Sequence, residues 1–388
     1  MDTGLRGTSA AADDPADTRP GRALAVPVGL GMANVGFHVA SIGVVLVVLA
    51  GDLGLPVAEL AWFGSTFGVG LIVVACAGPL LLRLGAARVL ALAAALLGAG
   101  SLALAVTPIA GLAYAAAAVQ GLGAAGLVLV APRLLRGPDA EASLTKVNAA
   151  ASVAGISAPL LLGWATQLGL GGRIPLLLIT ASMAVLVVLA LRLNPADTAA
   201  ASPKAAPGRL VKRLALRRWL TLVCAVSVEF AFVVWGVARL IGTGLDVGWA
   251  AVVGAAFQAG MALGRLVGAQ LIARLPMMLV GSGLTAGGTL MVVLSEAWPV
   301  VGAGQLLAGF GLATMYPITL ARLMATPGLR PEFGASLGAL GSGTAIMVTP
   351  TLLALLAGVV DLRLAFLVAL PILGALLWLY GERRPGAT

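Results

Sequence analysis

Residues 219–242 read WLTLVCAVSVEFAFVVWGVARLIG, an apolar run whose only charged side chains are Glu229 and Arg239. A helix of about 20 apolar residues crosses the roughly 30 Å hydrocarbon core of a bilayer. The run is therefore predicted to be a transmembrane helix. An ionised carboxylate near the centre of such a helix costs several kcal/mol, so Glu229 requires an explanation in terms of function.

The composition of the whole chain indicates an integral membrane protein. Of 388 residues, 60% are hydrophobic and only 10% are charged, whereas a soluble globular protein carries about 25% charged residues. The two cysteines, Cys76 and Cys224, both lie in apolar runs and are expected to be free thiols.

Twelve apolar runs are long enough to span a bilayer, and short segments with Gly, Pro or charge separate them. They are predicted to be helices, because irregular backbone cannot face lipid. The predicted fold is an all-α membrane protein of twelve transmembrane helices in two six-helix bundles, with spans 1–12 at about 25–50, 59–82, 86–106, 110–132, 147–168, 174–194, 219–242, 247–273, 277–295, 298–321, 333–358 and 362–381.

A polar segment divides the spans into six and six. Its end, RLVKRLALRR at 209–218, combines five basic with four aliphatic residues, which predicts an amphipathic helix lying on anionic lipid. The predicted organisation is a disordered cytoplasmic tail without a signal peptide, an N-terminal bundle, a cytoplasmic linker, a C-terminal bundle and a second cytoplasmic tail, at 1–24, 25–194, 195–218, 219–381 and 382–388.

The distribution of positive charge predicts the orientation. With the N-terminus inside, Arg173, Arg239 and Arg363 fall outside and Arg265 falls within a span, which leaves 20 of the 24 Lys and Arg residues on the cytoplasmic side. This asymmetry predicts a cytoplasmic-membrane protein with both termini in the cytoplasm. It also explains the net charge of +9 without a nucleic-acid partner.

Sequence landmarks recur in the two halves. Span 2 ends in GPLLLRLGAAR (78–88), and span 8 contains GRLVGAQLIAR (264–274). Span 4 carries QGLGAAG (120–126), where span 10 carries AGFGLAT (308–314). Spans 5 and 11 each contain a proline, in GISAPLLLG and GTAIMVTPTLL. Matched landmarks predict a duplicated transporter.

These motifs resemble those of the major facilitator superfamily over about 25–381. The first resembles the family's loop 2–3 signature, although Leu82 stands at its acidic position, as Ala273 does in the second copy. Ala117 stands where the span 4 signature usually has Arg. GISAPLLLG partly matches the family's exporter signature. The resemblance implies a gating role for Gly78, Arg83, Gly85, Arg88 and Arg274.

Two glycine patterns are interpreted as helix packing. GLGAAG at 121–126 is a literal G-x-G-x-x-G, but no strand precedes it, so a dinucleotide site is not expected. Gly260, Gly264 and Gly268 are spaced four apart, which predicts close helix packing.

The resemblance further implies that spans 1, 4, 7 and 10 line a central cavity. Asn34, His38 and Ser41 share one face of span 1, and such a stripe is interpreted as cavity lining; the alternative is hydrogen bonding between helices. The candidate cavity residues are Asn34, Phe37, Ser41, Tyr114, Gln120, Phe230, Trp235, Gln258, Arg265, Gln305 and Tyr316.

Glu229 and His38 are the candidates for proton coupling. They lie at comparable depths of spans 7 and 1 and are expected to converge on the cavity. Desolvation favours the neutral form of both, which suits a carboxyl group that exchanges a proton. The alternatives are a structural glutamate bonded to a neighbouring span and a satisfied core histidine. For Arg265 the alternative is a gate residue that binds backbone carbonyls.

The predicted function is secondary transport of a small organic solute, in the form of proton-coupled efflux of a hydrophobic or cationic compound. The three lysines follow no Gly-rich P-loop, so no cofactor is expected, and one His with two Cys argues against a membrane enzyme. The alternatives are uptake or facilitated diffusion of a metabolite and a membrane sensor that does not transport. The expected partners are substrate, protons and anionic lipids, and the protein is expected to be a monomer.

Overall fold

The computed structural model describes residues 19–60, 62–135, 140–193, 211–271 and 274–381, and throughout these ranges the regular structure is helical. The N-terminal half contains α1–α6, at Arg19–Leu53, Trp62–Leu81, Ala86–Val106, Ala110–Leu134, Ala140–Gln167 and Leu176–Leu191. The C-terminal half contains α7–α14, at Lys212–Ile241, Val247–Leu271, Met277–Leu294, Trp298–Leu312, Met315–Met324, Pro331–Ala357, Leu362–Ala365 and Ala369–Tyr380.

The helices confirm the predicted fold class. Spans 1–9 are α1–α9, span 10 is α10 with α11, span 11 is α12, and span 12 is α13 with α14. Among the described residues, 10 helical stretches are long and apolar enough to cross a membrane, and two shorter apolar helices occupy the places of spans 2 and 6. Span 10 is interrupted at 313–314 because Pro317 has no N–H to donate to the carbonyl of Ala313.

The basic segment before span 7 differs from the prediction. A separate surface helix was expected over 209–218, but α7 begins at Lys212 and continues without a break to Ile241. The reason is that its arginines are held by the ends of other helices. Arg217 donates to the carbonyls of Leu379, Trp378 and Gly381, and Arg218 to that of Arg322. The predicted disordered tail at 1–24 is also too long, because α1 already begins at Arg19. The rest of that tail at 1–18, most of the linker at 194–210 and the second tail at 382–388 lie outside the described residues.

The two halves use the same helix pairs. In the N-terminal half α1 packs on α5, α2 on α4, and α3 on both α4 and α6. In the C-terminal half α7 packs on α12, α8 on α10, and α9 on both α10 and α14. The contacts between the halves are also matched, because α2 packs on α12 where α8 packs on α5. The halves are therefore related by a pseudo-two-fold axis that passes between α1 and α7.

Glycines allow these pairs to approach to backbone contact at repeated positions. A Cβ at Gly123 would overlap the backbone at Leu97, and a Cβ at Gly311 would overlap the backbone at Thr285. Each residue of the second pair follows its counterpart by 188 positions. In the predicted ladder, Gly260 and Gly264 lie against the backbone of α10 and Gly268 against Thr314. The packing role predicted for these glycines is confirmed.

The two ends of the bundle differ in charge. We call the end with the exposed arginines of the 81–88 turn the basic end, and the end with Asp52, Glu59, Asp246, Glu296 and Asp361 the acidic end. Arginines at the acidic end cap helices. Arg173 donates to the carbonyls of Leu104 and Thr107 at the end of α3. Arg239 donates to the carbonyls 188 positions later, Val292 and Ser295, at the end of α9.

Gly260→Ala should lower the free energy of unfolding by about 1–3 kcal/mol, because the added methyl group overlaps the Leu306 carbonyl and forces α8 away from α10. The control is Gly283→Ala on α9, where nothing lies within 4 Å of the new Cβ. Thermal unfolding of the purified variants in detergent measures the difference. Equal midpoints for the two variants would contradict this packing role.

Candidate functional site

The two halves are in contact at the acidic end of their interface. There α1 crosses α7 with Gly43 against the carbonyl of Val233. On one side of this crossing, Ser65 of α2 donates to the carbonyl of Met347 at 2.6 Å. On the other side, Gln167 at the end of α5 donates to Asp246 beside α8. The interface is therefore closed at its acidic end.

Glu229 faces the interface between the halves. It lies four residues before Val233 and seven before Gly236, so the three share one face of α7, because a helix turns about 100° per residue. Val233 meets α1, and Gly236 lies against Gln305 of α10. The Glu229 side chain is half-buried, and no residue in the described part of the chain forms a hydrogen bond or ion pair with it. The expected hydrogen bond of a structural glutamate is not observed there.

His38 lies at the same depth but on a different face. It is five residues before Gly43, so its depth matches that of Glu229 to within about 1.5 Å, the rise of one residue. Those five residues also turn it about 140° away from α7. It is 2% exposed, packs edge-on against Phe67 at 4.9 Å, and neither ring nitrogen has a hydrogen-bond partner among the described residues. The expected convergence with Glu229 is not observed.

The other two residues of the predicted span 1 stripe, Asn34 and Ser41, form their hydrogen bonds within the N-terminal half. Asn34 donates to the carbonyl of Leu30 and accepts a 2.7 Å hydrogen bond from Ser182 of α6. Ser41 donates to the carbonyl of His38 in its own helix. In this conformation Asn34 therefore joins two helices of one half, as the alternative interpretation of the stripe predicted.

Several other candidates also serve as bridges between helices. Gln120 donates to Ser101 of α3 at 3.0 Å, Gln305 to the carbonyl of Gly236 at 2.8 Å, and Trp235 to that of Pro350 at 3.1 Å. Phe37 and Phe230 are buried. Tyr114 donates to the carbonyl of Glu59, which places its hydroxyl at the acidic end. Among these side chains, only the amide oxygen of Gln120 is a buried polar atom without a hydrogen-bond partner in the described residues.

Four of the candidate residues lie near one another, between the α1–α7 crossing and the basic end. Tyr316 of α11 lies within electrostatic reach of Glu229, as does Arg265 of α8. Gln258, on the same face of α8 as Arg265, lies against Gly155 of α5. Gln258 makes no hydrogen bond to any described residue. We call the set the central polar cluster: Glu229, Gln258, Arg265 and Tyr316.

Two serines that the sequence did not indicate adjoin this cluster. Arg265 donates to the hydroxyl of Ser152 on α5 at 2.9 Å, so it crosses from one half to the other. Ser342 of α12 lies beside Tyr316, with its hydroxyl buried next to that of the tyrosine. Serines in apolar helices usually bond to their own backbone, so the sequence alone gives no signal for either role.

The predicted gating loop forms a tight turn at the basic end. Gly85 links the turn Leu82–Leu84 to α3. Its φ of 89° is a backbone angle that residues with a side chain rarely adopt. Arg83, Arg88 and Arg274 are exposed, and none forms an ion pair within the described ranges. This agrees with the missing acidic residue at Leu82. Gly78, in contrast, lies against Leu129 of α4 and Ser336 of α12.

Two half-bundles related by a pseudo-two-fold axis, with polar groups at their shared centre, are an arrangement found in secondary transporters. The sequence profile of the Major Facilitator Superfamily matches residues 28–321. The chain belongs to this superfamily and is a transporter rather than an enzyme.

Solved structures share the fold. A variant of the nucleoside transporter NupG aligns with a TM-score of 0.71 at 14% identity, covering 92% of this chain and 100% of its own. NupG itself gives 0.70 at 12%, covering 94% and 100%. A bacterial homologue of the human lysosomal transporter Spinster, inward-facing and unoccupied, gives 0.66 at 12%, covering 95% and 96%. A comparison with curated proteins found no match.

A cysteine at position 229 should react with a charged, membrane-impermeant thiol reagent much faster than one at position 38, because reaction requires a hydrated thiolate. The experiment uses Glu229→Cys and His38→Cys in a background with Cys76→Ser and Cys224→Ser. The reagent should reach Glu229→Cys from the basic end, since the acidic end is closed. Equal rates for the two cysteines, or reaction only from the acidic end, would show that the faces are assigned wrongly.

Proposed function

We propose that this protein exports a small hydrophobic or cationic compound in exchange for protons. One observation supports this most strongly: Glu229 is a half-buried carboxyl group at the interface of the two halves, with no hydrogen bond or close ion pair to any described residue. A structural carboxylate within a membrane is normally paired or hydrogen-bonded. A carboxylate that forms no such bond is available to a substrate or a proton.

The proposed coupling follows from the cost of moving charge. Ionised Glu229 attracts a cation, whereas protonated Glu229 passes through the apolar interface at much lower cost. A carrier in which a proton and a cationic substrate compete for this carboxyl group changes conformation readily with either bound. Proton binding from the outside then displaces the substrate to the outside, and proton release to the cytoplasm frees the carboxylate for the next substrate.

The proposed movement is rocking of the two halves about the α1–α7 crossing. The contacts of α2 with α12 and of α5 with α8 are related by the pseudo-two-fold axis, so opening at one end accompanies closure at the other. Glu229 lies near the centre of this movement. Because the acidic end is closed, we propose that Glu229 is reached from the basic end.

The proposed orientation places the basic end and both termini in the cytoplasm, following the excess of Lys and Arg at that end. The protein then lies in the cytoplasmic membrane, where anionic lipids contact the basic end. We propose that it works as a monomer, because each chain contains both halves of the site. The export direction is supported by the resemblance of residues 155–163 to the exporter signature. The Pro159 of that segment lies inside α5.

Glu229→Gln should fold normally and lose proton-driven transport, with exchange in the absence of a gradient retained, because glutamine preserves size but cannot ionise. Glu229→Asp should be intermediate, since its charge remains with a shorter reach. Transport of a lipophilic cation into inverted vesicles, measured across pH, tests both variants. The control is Glu59→Gln, which neutralises an exposed glutamate at the acidic end.

The parent and Glu59→Gln should show the same dependence of transport on pH, and Glu229→Gln should show none. Normal gradient-driven transport by Glu229→Gln, with the pH profile of the parent, would remove Glu229 from the coupling mechanism. It would leave the family and the fold unaffected.

A further inference from the structure

We propose that the substrate is a zwitterion, with an anionic group that binds Arg265 and a cationic group that binds Glu229. The inference rests on the proposed function, because it assumes that Glu229 binds the substrate. It adds an assignment for Arg265. It also requires the substrate to carry an anionic group in addition to its cationic group.

The surroundings of Arg265 support an anionic ligand. Its guanidinium group donates to the neutral hydroxyl of Ser152, and no carboxylate forms an ion pair with it within the described part of the chain. One hydrogen bond uses one of the five N–H donors of an arginine. The positive charge and the remaining donors are therefore available, in a side chain that is exposed towards the basic end.

Glu229 and Arg265 lean towards each other. Helical side chains tilt towards the N-terminus of their own helix. For α7 this is the basic end, so the Glu229 carboxylate leans there. For α8 it is the acidic end, so the Arg265 guanidinium leans back towards the centre. The Glu229 carboxylate and the Arg265 guanidinium are therefore within electrostatic reach of each other.

The spacing suits a small molecule. Gly155, which lies against Gln258, also faces the Gly36 carbonyl and Ala40 and is therefore at the depth of Glu229. Ser152, which holds the Arg265 guanidinium, is three residues nearer the basic end. Three residues of helix correspond to about 4.5 Å. One molecule carrying both charged groups can therefore reach both side chains.

The central polar cluster provides further suitable groups. Gln258 lies on the face of α8 that carries Arg265 and offers an amide donor and acceptor that form no hydrogen bond with a described residue. The Tyr316 ring and the glycine-containing face of α5 form less polar walls. The two charged side chains together carry no net charge, so a ligand of zero net charge leaves neither of them uncompensated. A simple cation would satisfy Glu229 while facing the positive charge of Arg265.

Matched probes test this inference. Two series carry the same apolar group on an amine, an amino acid and a carboxylic acid: 2-phenylethylamine, phenylalanine and 3-phenylpropanoate, and isoamylamine, leucine and 4-methylpentanoate. Binding to the purified full-length protein is measured by isothermal titration calorimetry. In at least one series the amino acid should bind about tenfold more tightly than either singly charged analogue, the gain expected from one added charge-assisted hydrogen bond.

Substitutions then test which side chain binds the anionic group of the ligand and which binds the cationic group. Arg265→Gln should remove the advantage of the amino acid over the amine, and Glu229→Gln its advantage over the acid. Ser152→Ala is the matched control, because it removes the partner of Arg265 and leaves both charges, so the ranking should persist. Arg265→Lys, which keeps the charge, should retain part of the preference.

The outcomes distinguish a failure of the zwitterion inference from a failure of the proposed function. Tighter binding of amines than of amino acids in both series, or no binding of any amino acid, overturns the zwitterion inference from the wild-type protein alone. If the amines still bind and their transport depends on protons, the proposed function stands. An unchanged ranking in Arg265→Gln also overturns the inference and leaves Arg265 as a contact between α5 and α8.

Discussion

The contact between the backbones of α1 and α7 determines how the rest of this structure is arranged. Gly43 lies against the carbonyl of Val233, with no space for a side chain between the helices. Without a hydrophobic effect between helices in lipid, association depends on such close packing. The contact fixes the depth and rotation of both helices at once. It thereby decides which of their side chains face the interface and which face the interior of one half.

The consequence is clearest for Glu229 and His38. The sequence predicted their similar depth, because each can be counted along its apolar run. It could not predict their faces, since one residue changes the direction of a side chain by about 100°. In the alignment set by Gly43 and Val233, the position matching His38 is Val228, which is fully buried. Glu229 follows it by one residue and therefore turns towards the other half.

The sequence was most informative where a property depends on neighbouring residues. Span positions, the division into six and six and the packing role of Gly264 follow from local composition and spacing. The start of α7 was missed because the carbonyls that hold Arg217 lie at Trp378, Leu379 and Gly381, about 160 residues away in the chain. For the same reason, the sequence did not separate Gln305, which bridges two helices, from Gln258, which forms no hydrogen bond with a described residue.

The account depends on Glu229 exchanging a proton for the substrate, and proton release on binding tests this most directly. The purified protein, in weakly buffered detergent solution with a pH indicator, is titrated with a transported cation or zwitterion at a pH where the free carrier is protonated. The account predicts proton release by the parent and by Glu59→Gln, and none by Glu229→Gln under conditions where that variant still binds. Equal release by the parent and Glu229→Gln would contradict it.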